Sequence, residues 1–470
     1  MEVLGGDDVL WRLGNIVTTM CAEDVPPAVA HEVKRRILDT IGIALGGYDE
    51  PPSRIAREFA LANGAPSEGG AIIIGTGRST APETAAFANC VAMHSQDFMD
   101  TYLSPSGEAC HPADTIMGVL ALGEHLASNV DDIIRAIAVA YEVACRLCDA
   151  AQIRSRGWDH VTYMGIATAC AGAALLGLKG DALHAAISMA AIPSIALRQT
   201  RNGEISMWKA CAPATAVQHG IRSARLAAIG LRGPKEPFTG VNGFERRVSG
   251  LLDRHSLERS SDNDCSILKT HIKNFPIQFN IQAGIEAALA IRNRLNRPLA
   301  DNPVASITIT TSRVCYDLTS DSANKWNPET RETADHSMPY LVVTALRNGE
   351  ITSHDFEYKA FREEERLSDM AAVKVVVDDN MESDYPNKLS VRVRLVQISG
   401  TVYEEQVDYP LGHFRHPMTD EQVESKFRRL ASLHVDSSVV DEIANNVWHL
   451  DQANGIGRLM SSIVAVPVPQ

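Results

Sequence analysis

The sequence predicts a mainly helical protein with an α+β insertion: a large all-helical domain built from both chain ends, plus a smaller α+β lid domain. Three observations carry this. Apolar residues recur at helical spacing from Val9 to about Leu251. Between about Lys269 and Tyr409 they alternate as in strands, and after Pro410 the helical spacing returns. The expected limits are 1–268 for the first part of the helical domain, 269–409 for the α+β domain and 410–470 for the C-terminal part of the helical domain.

Val29, Val33, Ile37, Ile41 and Leu45 form one stripe at four-residue steps, with Pro26-Pro27 in front and Gly46-Gly47 behind, the two punctuation marks of a helix. Similar helical segments run through Pro82 to Asp97, Asp114 to Ala127, Asp131 to Ala150, Val161 to Leu178, Asp181 to Ala191 and Ser206 to Ala228. Only Ala71 to Gly75 interrupts them as a short strand. Ser306 to Thr311, Ala372 to Val377 and Leu389 to Val396 read as strands, and Ser399-Gly400 turns the chain into Val402 to Val407 as a hairpin. Ile281 to Leu295 and Ser337 to Arg347 are helices of the same stretch, and Thr419 to Leu433 and Val439 to Leu450 complete the pattern. A cleft between two such domains is the default place for a small ligand.

The 470 residues carry 44 basic and 58 acidic side chains, a net charge of −14, which argues against a nucleic-acid or anionic-membrane partner. An anionic substrate then requires a local positive site. The start lacks the pattern of a signal peptide, and the longest apolar stretch, Gly165 to Leu178, is short for a bilayer, so a cytoplasmic protein is expected. Nine scattered cysteines read as reduced core thiols, and the one C-x-x-C, Cys145 and Cys148, reads as packing. With no second Cys/His pair at ligand spacing, no metal is expected. Dinucleotide, phosphate-loop and nucleophile-elbow motifs are missing, so no cofactor is expected either.

His94, Asp97, Asp100, Thr101 and His111-Pro112 form the densest polar cluster of the helical half. If the helix from Pro82 continues, Asp97 and Thr101 share a face, and His111 returns from a loop. Carboxylate, hydroxyl and imidazole together can move a proton near neutral pH; the alternative is a capped helix end with a structural histidine. Asp159 suits the N-cap of the helix from Val161, which leaves His160 unexplained. Arg198, Arg201, Lys209 and His219 read either as an anion pocket or as solvated charge. Lys269, His271 and Lys273, before Asn274-Phe275-Pro276, form a second basic cluster or a hinge linker.

At these residues the sequence resembles the MmgE/PrpD family, which contains 2-methylcitrate dehydratases, cis-aconitate decarboxylases and an iminodisuccinate epimerase. The likeness runs from about Val9 to Leu433 and rests on Leu38-Asp39-Thr40-Ile41-Gly42 with Gly46-Gly47, Asp97-Phe98-Met99-Asp100-Thr101 with His111-Pro112, Gly157-Trp158-Asp159-His160, Met207-Trp208-Lys209, Lys273-Asn274-Phe275-Pro276, Ala334-Asp335-His336-Ser337 with Tyr340, and Val407-Asp408-Tyr409-Pro410 with Pro417-Met418-Thr419. The resemblance implies a helical domain with an α+β lid, usually a homodimer, and a metal-free, cofactor-free site for a small di- or tricarboxylate.

Carried over position by position, that site comprises Asp97, Thr101, His111, His160, Lys209 and Lys273, to which the basic cluster adds Arg201. Asp97 and the two histidines resemble the proton-transfer set, the lysines the carboxylate holders; His336 sits in a family motif without an assigned role. The decarboxylases carry a tyrosine where this chain has Lys325-Trp326-Asn327-Pro328, and Thr101-Tyr102-Leu103 with the loop to His111 is more similar to the bacterial dehydratase branch. The expectation is a hydro-lyase that dehydrates 2-methylcitrate or a related tricarboxylate such as citrate to the corresponding cis-aconitate. The rivals are cis-aconitate decarboxylation and epimerisation of an amino- or imino-dicarboxylate, and, more remotely, a non-catalytic anion-binding protein.

Overall fold

The computed structural model describes residues 6–64, 69–203, 205–259, 265–295, 299 and 303–464. It is mainly helical, with 58% helix against 10% strand. Packing divides the chain into two units, one of residues 1–200, 207–271 and 418–470, the other of residues 201–206 and 272–417. The divisions fall at His271/Ile272 and Pro417/Met418, and residues 201–206 group with the second unit.

Among the described residues, the first unit opens with nine α-helices: α1 (Asp8–Ala22), α2 (Pro27–Gly46), α3 (Pro51–Ala62), α4 (Pro82–His94), α5 (Ile116–His125), α6 (Val130–Ala150), α7 (Val161–Leu175), α8 (Gly180–Ala191) and α9 (Trp208–Ala228). Two small hairpins, β1 (Ala71–Ile73) with β2 (Arg78–Thr80) and β3 (Tyr102–Leu103) with β4 (Ala109–Cys110), lie between them. The helix α7 is buried from Val161 through Ala173, which accounts for the long apolar run; among the described residues no helix is long and apolar enough to cross a membrane. It packs most extensively on α9 and α6. Small residues permit the approach: a Cβ on Gly220 would lie 2.7 Å from the Gly165 carbonyl oxygen, so the two backbones nearly touch. Met418–Gln470 returns to this unit, and its helix Asp420–Ala431 packs on α2.

The second unit holds a four-stranded sheet, with β5 (Val304–Thr311), β6 (Val373–Val377), β7 (Val391–Gln397) and β8 (Val402–Val407) in the order β6-β5-β7-β8. The β5/β6 pair is parallel and the other two are antiparallel. Val391, Val393 and Leu395 of β7 point into the core while Arg392 and Arg394 face outward, the alternation visible in the sequence. The helices α10 (Gln282–Arg294) and Met338–Asn348 supply Ile285, Ile291, Leu341 and Leu346 to that core.

Seven of the nine thiols are buried. Cys110 of β4 interacts with Cys145 and Cys148 of α6, and burial pushes the Cys145 thiol up to about 12, a core thiol of low reactivity.

Candidate active site

The expected continuation of α4 through Asp97 to Thr101 does not occur. The helix ends at His94; Ser95 Oγ donates to the Ala92 carbonyl at 2.8 Å and Gln96 Nε2 to the Gly46 carbonyl at 2.8 Å. Asp97 then adopts a left-handed backbone, φ 50°, a conformation asparagine and aspartate tolerate better than most residues. Asp97 and Thr101 therefore do not meet on a helical face. Thr101 is instead held by backbone bridging to His271: its N–H donates to the His271 carbonyl at 2.9 Å, and its carbonyl accepts from the His271 N–H at 2.8 Å.

Asp97 is buried, and Lys209 Nζ donates to its Oδ2 at 2.7 Å. Lys209 is the second residue of α9, where the helix dipole disfavours a cation, so the carboxylate of Asp97 answers both the burial and the dipole. His219, grouped with Lys209 in the sequence, lies ten residues further along α9, about 15 Å up the axis, and does not join it.

His111 follows β4 directly and starts the 3-10 helix Pro112–Thr115, which packs against α4, α6, α7 and α9. Its Nδ1 lies 2.7 Å from the Asp100 carbonyl oxygen and 3.2 Å from Thr101 Oγ1. A carbonyl only accepts, so Nδ1 carries the hydrogen, and in the neutral ring Nε2 holds the basic lone pair.

Two further imidazoles flank His111. The His160 ring lies 4.9 Å from it edge to face, and the His94 ring 5.8 Å on the same terms. Each is anchored through Nδ1 to a buried carboxylate: His160 to Asp159 Oδ1 at 3.2 Å and His94 to Asp114 Oδ1 at 2.8 Å. Asp159 also accepts from the Val161 N–H at 3.2 Å and from Thr200 Oγ1 at 2.7 Å; the N-cap of α7 is His160 and not the expected Asp159, which stands one residue before it and reaches the first helical N–H from there. The sequence placed His94 in this cluster, but Asp114 carried no signal, because its partner is 20 positions away.

Asp100 lies beneath the row. Its Oδ1 accepts from the Ala113 N–H at 3.0 Å and its Oδ2 from the Tyr141 hydroxyl at 2.8 Å. Burial pushes its carboxyl up to about 6, against the opposing pull of Arg36 3.5 Å away.

Lys273 and Arg201 belong to the second unit. Lys273 is 1% exposed; Gln282 of α10 fixes the motif around it, its Oε1 accepting from the Asn274 and Phe275 N–H groups at 3.1 Å each. Arg201 is half-buried at the end of a short 3-10 turn. The basic cluster of Lys269, His271 and Lys273 is dispersed: Lys269 is exposed, and His271 is buried as the backbone partner of Thr101. His336 is anchored to Asp335, whose carbonyl accepts from the Gln278 N–H at 2.9 Å.

Two surface clefts of the helical unit, of about 700 and 290 Å³, share no residue with the histidine row. The larger is lined by Glu124, Asn446, His449 and Arg458 among others, and the smaller by Asp149 and Arg156 among others.

The sequence pattern of the MmgE/PrpD N-terminal domain matches residues 12–255, and that of the MmgE/PrpD C-terminal domain matches residues 275–452. The chain is 26% identical over 427 residues to a 2-methylcitrate dehydratase of Cupriavidus necator, covering 86% of each. It is 25% identical over 422 residues to the 2-methylcitrate dehydratase of Escherichia coli K12, covering 85% of this chain and 86% of that one. It is 26% identical over 474 residues to the cis-aconitate decarboxylase of Homo sapiens, covering 94% of this chain and 91% of the relative.

Proposed function

Because the chain belongs to the MmgE/PrpD family, we propose that it is a cofactor-independent hydro-lyase that removes water from 2-methylcitrate or a close relative such as citrate. The observation that carries the reading is the buried Lys209–Asp97 pair in the same unit as three imidazoles, each anchored through Nδ1. A proton beside a carboxylate is weakly acidic, so its removal needs a positioned base and a cation facing the charge that grows on that carboxylate. Lys209 supplies one such cation, and Lys273 and Arg201 are the further carboxylate holders.

His111 Nε2 takes the proton from carbon. His160, whose imidazolium Asp159 stabilises, gives a proton to the departing hydroxyl, which leaves as water while the carbon–carbon double bond forms. Thr101 steadies the His111 ring, and Asp97 keeps the Lys209 ammonium in place. The equal likeness to the human decarboxylase supports a second reading on the same residues, in which the bond to a carboxylate breaks and carbon dioxide leaves.

The test is to incubate the purified protein, after metal chelation, with racemic 2-methylcitrate, citrate and cis-aconitate. Growth of the enoate absorbance with retained carbon is expected; carbon dioxide release moves the assignment to decarboxylation, and solvent-deuterium exchange with inversion of an amino- or imino-dicarboxylate moves it to epimerisation. Tight tricarboxylate binding without any turnover defeats the enzymatic reading.

A further inference from the structure

The motif Leu38-Asp39-Thr40-Ile41-Gly42 has no task in the chemistry above, yet two of its members, Asp39 and Gly42, lie on one face of α2 with Arg36. Arg36, Asp39 and Gly42 are three residues apart, and all are buried. Asp39 Oδ1 is 2.8 Å from Lys426 Nζ, with the two side chains 3% and 2% exposed. The same ammonium donates to the Phe98 carbonyl at 3.2 Å and sits 3.7 Å from the centre of the Phe98 ring. Carboxylate, carbonyl and aromatic face together replace the water a buried cation loses. Phe98 is the residue after the left-handed Asp97.

One turn earlier, Arg36 Nε lies 3.5 Å from Asp100 Oδ2, and Nη2 donates to Thr270 Oγ1 at 2.8 Å and to the Thr270 carbonyl at 3.2 Å. Thr270 precedes His271, the backbone partner of Thr101. Gly42 completes the face: a Cβ there would stand 3.0 Å from the Phe427 Cα, so glycine lets the helix that carries Lys426 come close enough to reach Asp39. The segment 98–101 is thus gripped from α2 at both ends, and Asp97 and His111 are set from its two ends.

We propose that Asp39, Lys426 and Arg36 are positioning residues, which hold the main chain of residues 98–101 so that Asp97 stays left-handed against Lys209 and the Asp100 carbonyl stays on His111 Nδ1. The proposal rests on the reading above for the roles of Asp97 and His111. An ion pair that serves stability alone can be exchanged for a neutral pair at little cost; one that positions the site cannot.

The test compares Lys426→Met, Asp39→Asn, the double variant D39N/K426M and the charge-retaining K426R by melting temperature, by kcat and KM on whichever substrate the wild type turns over, and by crystal structures. The double variant, with no unpaired charge, is expected to melt near the wild type. Its kcat should nevertheless fall about 10- to 100-fold while KM moves less than about threefold, as for a displaced catalytic group. Asp97 should leave positive φ, and K426R should recover part of the loss. Wild-type kcat in the folded double variant, or Asp97 unmoved against Lys209 in its structure, overturns the proposal. If the double variant does not fold, Thr270→Val, which removes one Arg36 acceptor, is read in the same way, with the His271 bridge to Thr101 as the structural measure. A wild type inert towards every substrate defeats the functional reading, and the position of Asp97 in the variant still decides this one.

Discussion

Two buried lysine–aspartate pairs lie in the helical unit, and they meet the chain at neighbouring residues. Lys209 holds the side chain of Asp97 at 2.7 Å; Lys426 holds the carbonyl of Phe98 at 3.2 Å and the carboxylate of Asp39 at 2.8 Å. Their composition is the same and their settings differ. Lys209 stands at the first turn of α9, where its charge runs against the helix dipole, whereas Lys426 sits mid-helix, closed over by an aromatic ring. Both pairs are buried to nearly the same degree, so on the proposed reading the difference in setting is what assigns charge to the first and positioning to the second.

Lys209→Met is the sharpest break of that comparison. It should lower kcat/KM by about 10²- to 10³-fold, the scale of losing one donor to a developing anion. Steady-state kinetics beside a melting curve would separate the activity loss from a folding loss, and a Lys209→Met enzyme with wild-type kinetics removes Lys209 from the chemistry.

Gly42→Ala probes the other pair. The added methyl meets backbone at 3.0 Å, not the far end of a flexible side chain, so α2 and the helix of Lys426 must separate. Destabilisation of about 1 to 3 kcal/mol is expected from such overpacking, measured by denaturant titration at unchanged m. An unaltered midpoint would mean that the close approach is not required.

A third probe is the pH dependence of Asp100. Its carboxyl is raised from 3.8 to about 6, so between those values the folded protein binds more protons than the unfolded chain. Stability from this group is present below pH 4 and is lost as pH rises through 6. Asp149, also raised to about 6 by burial, adds a slope of the same sign. Asp100→Asn should flatten only part of the fall, read as melting temperature against pH from 4 to 7; an unchanged profile would show that Asp100 does not titrate there.

Long segments with one dominant period were legible from the sequence. The stripe on α2, the runs of α6 and α7, and the alternation of β7 into Ser399-Gly400 and β8 each repeat a signal several times over. The overrun of α4 has a plain cause: Ser95, Gln96 and Asp97 include no glycine or proline, and the stop comes from side-chain bonds to Ala92 and Gly46. The two-residue strands β3 and β4 are too short to show any period, yet they carry Thr101 and His111 on their outer ends.

By itself, the sequence determined which residue types were available for chemistry and where the regular elements run, because both are written in local order and composition. Tertiary structure alone decided the partners: His271 for Thr101, Asp114 for His94, and Lys426 for Phe98 across 328 positions. A buried charge or donor takes the complement that packing brings to it, and no local pattern in the chain records how far along that complement lies.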